Sequence, residues 1–426
     1  MAKCLVIGGG FAGFSAAVYL TKNNHEVHLV EAAPKLGGRA YSFLNASQNE
    51  IIDNGQHIMM GCYRYTLDFL KEIGALDKLE IQKKLTVNFK GRGGKDYKLN
   101  ATDAPYPINL LIAIMNYDAL KMIEKVRVVK LVLKLLFAST RKMADKTVHE
   151  WLTDEKQSAN AVKSLWEILA IGTLNTTIDN ASASTFAKVL KEIFLKGNKA
   201  STIILPKSGL SEMYCVVAES YIKEHGGEIT LSEKLTSMET EGDCITKVVT
   251  TKSTYDDFDF VISTIPPYAF EKIEGPNQML NMSDEFKYSP ILNVHLWLSE
   301  NPFTEKFYGL INSKVHWLFN HSSHISLTTS AADEIIEMQN EKIMEMVLNE
   351  LTDYFPGFKK KMMKEFKIIK EKRATFVPTI SAELNRREIT SPYKNLILAG
   401  DWTNTGLPST IESAVKSGAN AASAVY

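Results

Sequence analysis

The chain opens on an apolar run at residues 4–7 that three consecutive glycines, 8–10, bring to a stop. A run this short and wholly apolar, ended by turn residues, predicts a buried parallel strand. Residues 11–23 carry the small residues and repeat of a helix, and 25–31 alternate back into a strand. Such a βαβ unit takes roughly 30 residues and begins a doubly wound sheet. Strand-like residues from 51 and a helix over 64–73 follow. The stretch 105–197 reads as almost wholly helical, rich in Leu, Ile, Val and Lys. A turn at 206–209 then leads into a helix reaching 221. Strands are predicted at 228–231, 234–238, 258–264, 291–298 and 315–319, and a helix over 331–354. A last buried strand, 396–399, runs into a closing helix over 410–424.

This order predicts a nucleotide-binding domain in three pieces, 1–90, 201–267 and 375–426. A helical insertion, 91–200, and an insertion with a sheet, 268–374, would form a discontinuous α+β substrate domain. The length, 426 residues, suits two cooperating domains. With 49 basic and 49 acidic side chains there is no net field to draw nucleic acid, and no nucleic-acid partner is expected. Cys4, Cys62, Cys215 and Cys244 are far apart, without a CxxC pair or a histidine at ligand spacing. They read as reduced thiols of a cytoplasmic protein, and no metal site is expected. Residues 3–13 are already strand and turn, so no signal peptide is expected. The apolar run 108–117 is too short to span a bilayer. Arg127, Lys130, Lys134 and Arg141 recur at helical spacing among Val128, Leu131, Val132, Leu135 and Leu136. That pattern suits a helix resting on an anionic membrane, or a solvated face over the core.

Gly8, Gly10 and Gly13 stand between the first strand and the first helix, with Phe11 and Ala12 between the last two. In a Rossmann-like α/β fold these glycines give a tight turn, a close approach to a pyrophosphate, and close helix packing. Glu31, ending the second strand, stands where an acid binds a ribose diol. Gly37-Gly38-Arg39 makes a flexible loop that can set a guanidinium on phosphates. Gly400-Asp401, after a buried strand, offers a fixed acceptor for a ribityl hydroxyl, or is merely a turn. Asp53-Asn54-Gly55-Gln56-His57 is the densest polar cluster. It is either a proton-transfer site, with Asp53 orienting His57, or a polar turn bonded to its own backbone. His295, His316, His321 and His324 read as satisfied core or surface histidines.

The chain resembles the amine oxidase and carotenoid desaturase superfamily of flavoproteins and, within it, the hydroxysqualene dehydroxylase family of bacterial hopanoid pathways. The motifs that carry the resemblance are GGGFAG, LGGRA at 36–40, DNGQH at 53–57, LWEILAIGTLNT at 165–176, SAST at 182–185, KRATFVPT at 372–379 and LAGDWTNTGLPSTIESAVKSG at 398–418. The resemblance implies FAD on a glutathione-reductase-type, amine oxidase-like fold. It assigns the pyrophosphate to Gly8, Gly10 and Gly13 with Phe11 and Ala12, and the adenosine ribose to Glu31. Gly38 and Arg39 would hold the phosphates and ribityl side, and Leu235 the adenine. Gly400 and Asp401 would hold the ribityl chain, with Gly406, Leu407 and Pro408 near the isoalloxazine. The implied reaction is reductive removal of the hydroxyl of hydroxysqualene, with an external electron donor for the flavin and peripheral membrane contact. His57 is then the first candidate acid, Asp53 the second, and Glu412 stabilises positive charge or positions the flavin. A desaturase running in the oxidative direction, an amine oxidase, and a non-catalytic lipid-binding protein are the competing expectations.

Overall fold

Glu228–Thr230, Glu26–Val30, Lys3–Ile7, Phe260–Ser263 and Leu396–Leu398 lie side by side, in that order, in one parallel sheet. The computed structural model describes residues 1–275 and 286–425. The two strands farthest along the chain are buried at every residue, so the sheet must be covered on both faces. Alternate residues of the first strand accordingly enter different cores. Cys4 and Val6 pack with Phe14, Ala17 and Val415 of the helices Phe11–Lys22 and Ile411–Ser423. Leu5 and Ile7 pack with Leu235 and Val248 of a three-stranded antiparallel sheet, and with Trp402.

The small residues of the closing helix are explained by this packing. A Cβ on Gly418 would stand 2.2 Å from the carbonyl oxygen of Ala12. Ser15 Oγ also donates to the carbonyl of Val415 at 2.8 Å. The last helix is therefore seated on the first, and carries the 400–410 segment back to the glycine turn.

A second layer is a seven-stranded sheet in the order Met363–Phe376, Tyr288–Leu298, Ile325–Thr329, Trp317–Asn320, Phe307–Leu310, Thr86–Gly91 and Lys95–Asn100. Its neighbours are antiparallel except where Phe307–Leu310 meets Thr86–Gly91. One face packs on the helix Asn340–Tyr354 and the other on the helices between Ile108 and Phe194. The hairpin from Thr86 to Asn100, inside the first two predicted segments, is an addition to the expected elements. The helix predicted from 331 begins instead at Asn340, because Ala331 takes the left-handed conformation (φ +48°) and the chain turns until Gln339. The strand expected at 51 is the second arm of a hairpin, Ser42–Asn45 with Glu50–Asp53.

Candidate active site and flavin cradle

The carboxyl ends of three adjacent strands, Lys3–Ile7, Phe260–Ser263 and Leu396–Leu398, converge on Gly8, Thr264 and Gly400, the end at which open α/β sheets bind ligands. Gly8 has φ +108°, and a Cβ on Gly13 would stand 1.8 Å from the Gly8 carbonyl oxygen, so neither position admits a side chain. Thr264 Oγ1 donates to the Ile7 carbonyl at 2.8 Å and holds the turn from the neighbouring strand. Gly10 caps the first helix, and Phe11 and Ala12 are buried in its first turn. A Cβ on Gly10 would meet only Gly38 Cα, at 3.7 Å, so two bare backbones face each other here. Free N–H groups at this helix start favour an anion. Glu31 accepts from the amides of Gly9 (2.6 Å) and Ala33 (2.7 Å), which sets its carboxylate beside the turn. Leu235 is buried at the start of its strand. The segment before it runs beside Glu31, with the Glu233 amide donating to the Glu31 carbonyl at 2.9 Å.

Arg39 reaches across to the far end of the chain. Its Nη2 donates to Asp401 Oδ1 at 2.5 Å and its Nη1 to the Ala374 carbonyl at 3.0 Å. Ser409 Oγ donates to the other Asp401 oxygen. Burial alone would raise the Asp401 carboxyl, but the Arg39 charge and hydrogen bond, then Ser409 and Arg386, hold it below the usual range. Arg386 is nearly sealed from solvent, and burial lowers its pKa. It donates to the carbonyls of Leu407 (2.6 Å), Asp401 (2.8 Å) and Thr403, and to Thr405 Oγ1 (3.2 Å). The loop so gathered includes Gly406, at φ +76°, and the buried Pro408. Gly400, at φ +129°, donates its amide to Ser417 Oγ at 2.7 Å. The residues present fit FAD: a bare glycine turn at a helix start, an acid beside it, and a buried carboxylate between two guanidiniums.

Residues 53–57 are held by the second layer rather than by each other. Asn293 Nδ2 donates to the Asn54 carbonyl at 3.2 Å, and His295 Nε2 to the Asp53 carbonyl at 3.1 Å. Ser326 Oγ donates to His295 Nδ1 at 2.7 Å, which fixes the neutral tautomer of a wholly buried ring. The Asp53 carboxylate accepts from Ser42 Oγ (2.7 Å) and the Leu210 amide (2.9 Å), and burial raises its pKa. Among the described residues it makes no hydrogen bond to His57. His57 is half-buried and deep in the molecule, with no hydrogen-bonded partner among the described residues. Burial pushes its pKa down to about 4, so its imidazole is neutral near pH 7.

Glu412 is also committed. Its carboxylate accepts from the amides of Tyr65 (3.0 Å) and Thr66 (2.9 Å) and from Thr66 Oγ1 (2.7 Å), so it caps the helix Arg64–Glu72. That bond set makes it an anchor of the closing helix. The basic helix is Met122–Phe137 and ends before Arg141, which lies in the following turn. Val128, Leu131 and Leu135 face the core, while Arg127, Lys130 and Lys134 are exposed. Arg386, Asn293 and Thr264 carried no expectation in the sequence, while His295, expected as a satisfied histidine, is buried and bonded at both ring nitrogens. The one local signal was the Thr264-Ile265-Pro266-Pro267 turn that ends a buried strand.

The buried histidines predict a pH dependence of stability. Burial, then the neighbouring His324 and His321, lowers His295 to about 3. The unfolded chain protonates it near pH 6.5. Its contribution is therefore complete above pH 6.5 and is lost as pH falls toward 3, at about 1.4 kcal/mol per pH unit for one proton. Urea unfolding at pH 7 and pH 5 should show the loss, and the His295→Gln variant should lose about one proton of slope. An unchanged slope in the variant would count against this environment.

The chain matches the model of the flavin-containing amine oxidoreductases over residues 11–426. It is 27% identical over 427 residues to a hydroxysqualene dehydroxylase of Zymomonas mobilis subsp. mobilis, covering 98% of this chain and 97% of that protein. It is 24% identical to a 15-cis-phytoene desaturase of Synechococcus elongatus, covering 99% and 95%. Among solved structures, an oxidoreductase from Methanosarcina mazei superposes with a TM-score of 0.76 at 15% identity, covering 98% and 99%. No helix among the described residues is long and apolar enough to cross a membrane. With the glycine cradle and the Arg39–Asp401 pair in place, the chain belongs to the flavin-containing amine oxidoreductase family and is an FAD-dependent oxidoreductase.

Proposed function

We propose that this enzyme reductively removes the hydroxyl of hydroxysqualene to give squalene. The observation that carries the reading is the likeness to a hydroxysqualene dehydroxylase along nearly the whole of both chains. The substrate is then an isoprenoid alcohol, and breaking its C–O bond takes a proton for the departing water and a hydride for the carbon left behind. Held by the glycine turn, Arg39 and Asp401, reduced FAD would supply hydride chemistry, its two electrons coming from an external donor.

This chain's own residues must supply the proton and keep water out. His57 is the candidate donor, because it is the titratable member of the 53–57 cluster that has no hydrogen-bonded partner among the described residues. Asp53 contributes through its carbonyl, which His295 grips, and Glu412 through the position of the closing helix. A protonated imidazole with a pKa near 4 is a strong acid that is scarce at pH 7. The burial that depresses this pKa would also keep a carbocation from recapturing water.

The second reading, a desaturase using oxidised flavin, follows from the phytoene desaturase likeness. Product analysis after anaerobic incubation separates them. Reduced enzyme with hydroxysqualene should yield squalene, whereas a desaturase would act on squalene or phytoene when oxidised. If His57 is the acid, kcat/KM should rise about tenfold per unit as pH falls from 7 toward 5. The His57→Ala variant should lose that slope and about a hundredfold or more of the rate. Equal rates for the variant and the natural enzyme at every pH would remove His57 from the role.

We also propose that the helices Ile108–Met115 and Met122–Phe137 rest on an anionic bilayer, from which so apolar a substrate would enter. Ile108, Leu111, Met122, Val126, Leu133 and Phe137 are exposed, the last by 91%. Arg127, Lys130 and Lys142 are exposed beside them. Apolar side chains turned outward among cations match an anionic lipid surface. The protein should sediment with phosphatidylglycerol vesicles and not with phosphatidylcholine ones. Phe137→Ser should weaken binding about tenfold, as for one lost aromatic anchor. Protein left in the supernatant with both lipids would contradict the proposal.

A further inference from the structure

The KRATFVPT stretch contributes its backbone to the cradle, through the Ala374 carbonyl that Arg39 grips, but none of its charged side chains has a role yet. The strand that holds it, Met363–Phe376, belongs to the seven-stranded sheet, not to the nucleotide-binding layer. Arg373 precedes Ala374 directly. Its guanidinium lies over the ring of Tyr268, 4.5 Å from the centroid. Tyr268 sits in the short helix Pro267–Phe270, a few residues beyond Thr264, which holds the glycine turn. Tyr268 in turn meets Tyr288 edge-on at 5.1 Å, and the Tyr288 hydroxyl is buried without a partner.

The charges around this point do not balance. Arg39 and Arg373 are both cations, and Asp401 is the carboxylate between the layers. Asp401 is already bound by Arg39 and Ser409. Arg373 is exposed, has no ion pair among the described residues, and is held over an aromatic ring. A solvated arginine gains little from being ordered there, and a stacked guanidinium presents its donor edge to a planar or tetrahedral anion. Lys372, one residue back, differs in every respect: it points to the other face of the strand and pairs with Glu337 at 2.7 Å.

We propose that Arg373, set on Tyr268, supplies a second positive charge to the FAD diphosphate from the substrate-side layer. FAD is then gripped from both layers: by the glycine turn, Glu31 and Arg39 on one side, and by the end of the KRATF strand on the other. The inference rests on the FAD assignment and is independent of the substrate.

The test measures FAD release from purified holoenzyme on dilution, by flavin fluorescence, at low and high salt. Arg373→Gln should raise the Kd about tenfold at low salt, equivalent to about 1.4 kcal/mol. The difference should shrink at high salt, because an accessible charge contact is screened. Arg373→Lys should recover part of the affinity and its salt dependence. Lys372→Gln should release FAD as the natural protein does. Far-UV circular dichroism of each variant reports whether the fold is intact. An Arg373→Gln protein with unchanged Kd would overturn the proposal. So would a loss equal at low and high salt, which marks a packing role rather than a charge.

Discussion

Two guanidiniums from distant parts of the chain converge on residues 401–409, and the flavin site depends on that convergence. Arg39 binds the Asp401 side chain, and Arg386 binds the backbone carbonyls around it. A buried guanidinium is costly unless its donors are met, and Arg386 offsets much of that cost by collecting acceptors from one short loop and pairing with Glu383 at 3.3 Å, although its Nε is left without a partner. Removing one partner from such an arrangement leaves charge without compensation in the interior. The loop cannot relax without exposing that charge, so its shape is set before any cofactor arrives. Gly400 and Gly406, both at positive φ, give the loop the turns this gathering requires.

The rest of the architecture positions what meets at this knot. The closing helix must lie against the first helix to bring Asp401 near Arg39, and Gly418 permits that approach. Glu412 ties the same helix to the start of Arg64–Glu72, next to the loop that carries His57. The seven-stranded sheet fixes that loop from the other side through Asn293 and His295. One layer therefore shapes the cradle while the other holds the candidate acid. The depressed pKa of His57 follows from burial alone, not from a charged neighbour.

Much of the cradle was legible in the sequence because it is written in backbone requirements. Gly8 and Gly13 are demanded by turn and packing geometry that no other residue satisfies, and Glu31 follows at a fixed interval. The Gly400-Asp401 pair was visible as a polar ending to a buried strand. Arg386 was not, because nothing near it in sequence says that its partners lie fifteen to twenty-one residues further on. Asn293 and His295 looked like ordinary strand residues, since their role is to grip a loop more than two hundred residues away. Asp53 and Glu412 were read for their charge, and the structure commits both carboxylates to backbone amides. The hairpin from Thr86 to Asn100 escaped notice although it alternates, because each arm buries only one or two apolar side chains and its other strand partner comes from residues 307–310.

Arg386 shapes the candidate flavin cradle by holding the carbonyls of Asp401, Thr403 and Leu407. The Arg386→Lys variant tests this most directly, because an ammonium keeps the charge but cannot span the same set of carbonyls. The measurement is the ratio of flavin to protein in the purified variant, from visible and ultraviolet absorbance. The account predicts a variant that keeps its secondary structure but is largely stripped of FAD. A variant carrying one FAD per chain, with the natural absorption spectrum, would contradict it.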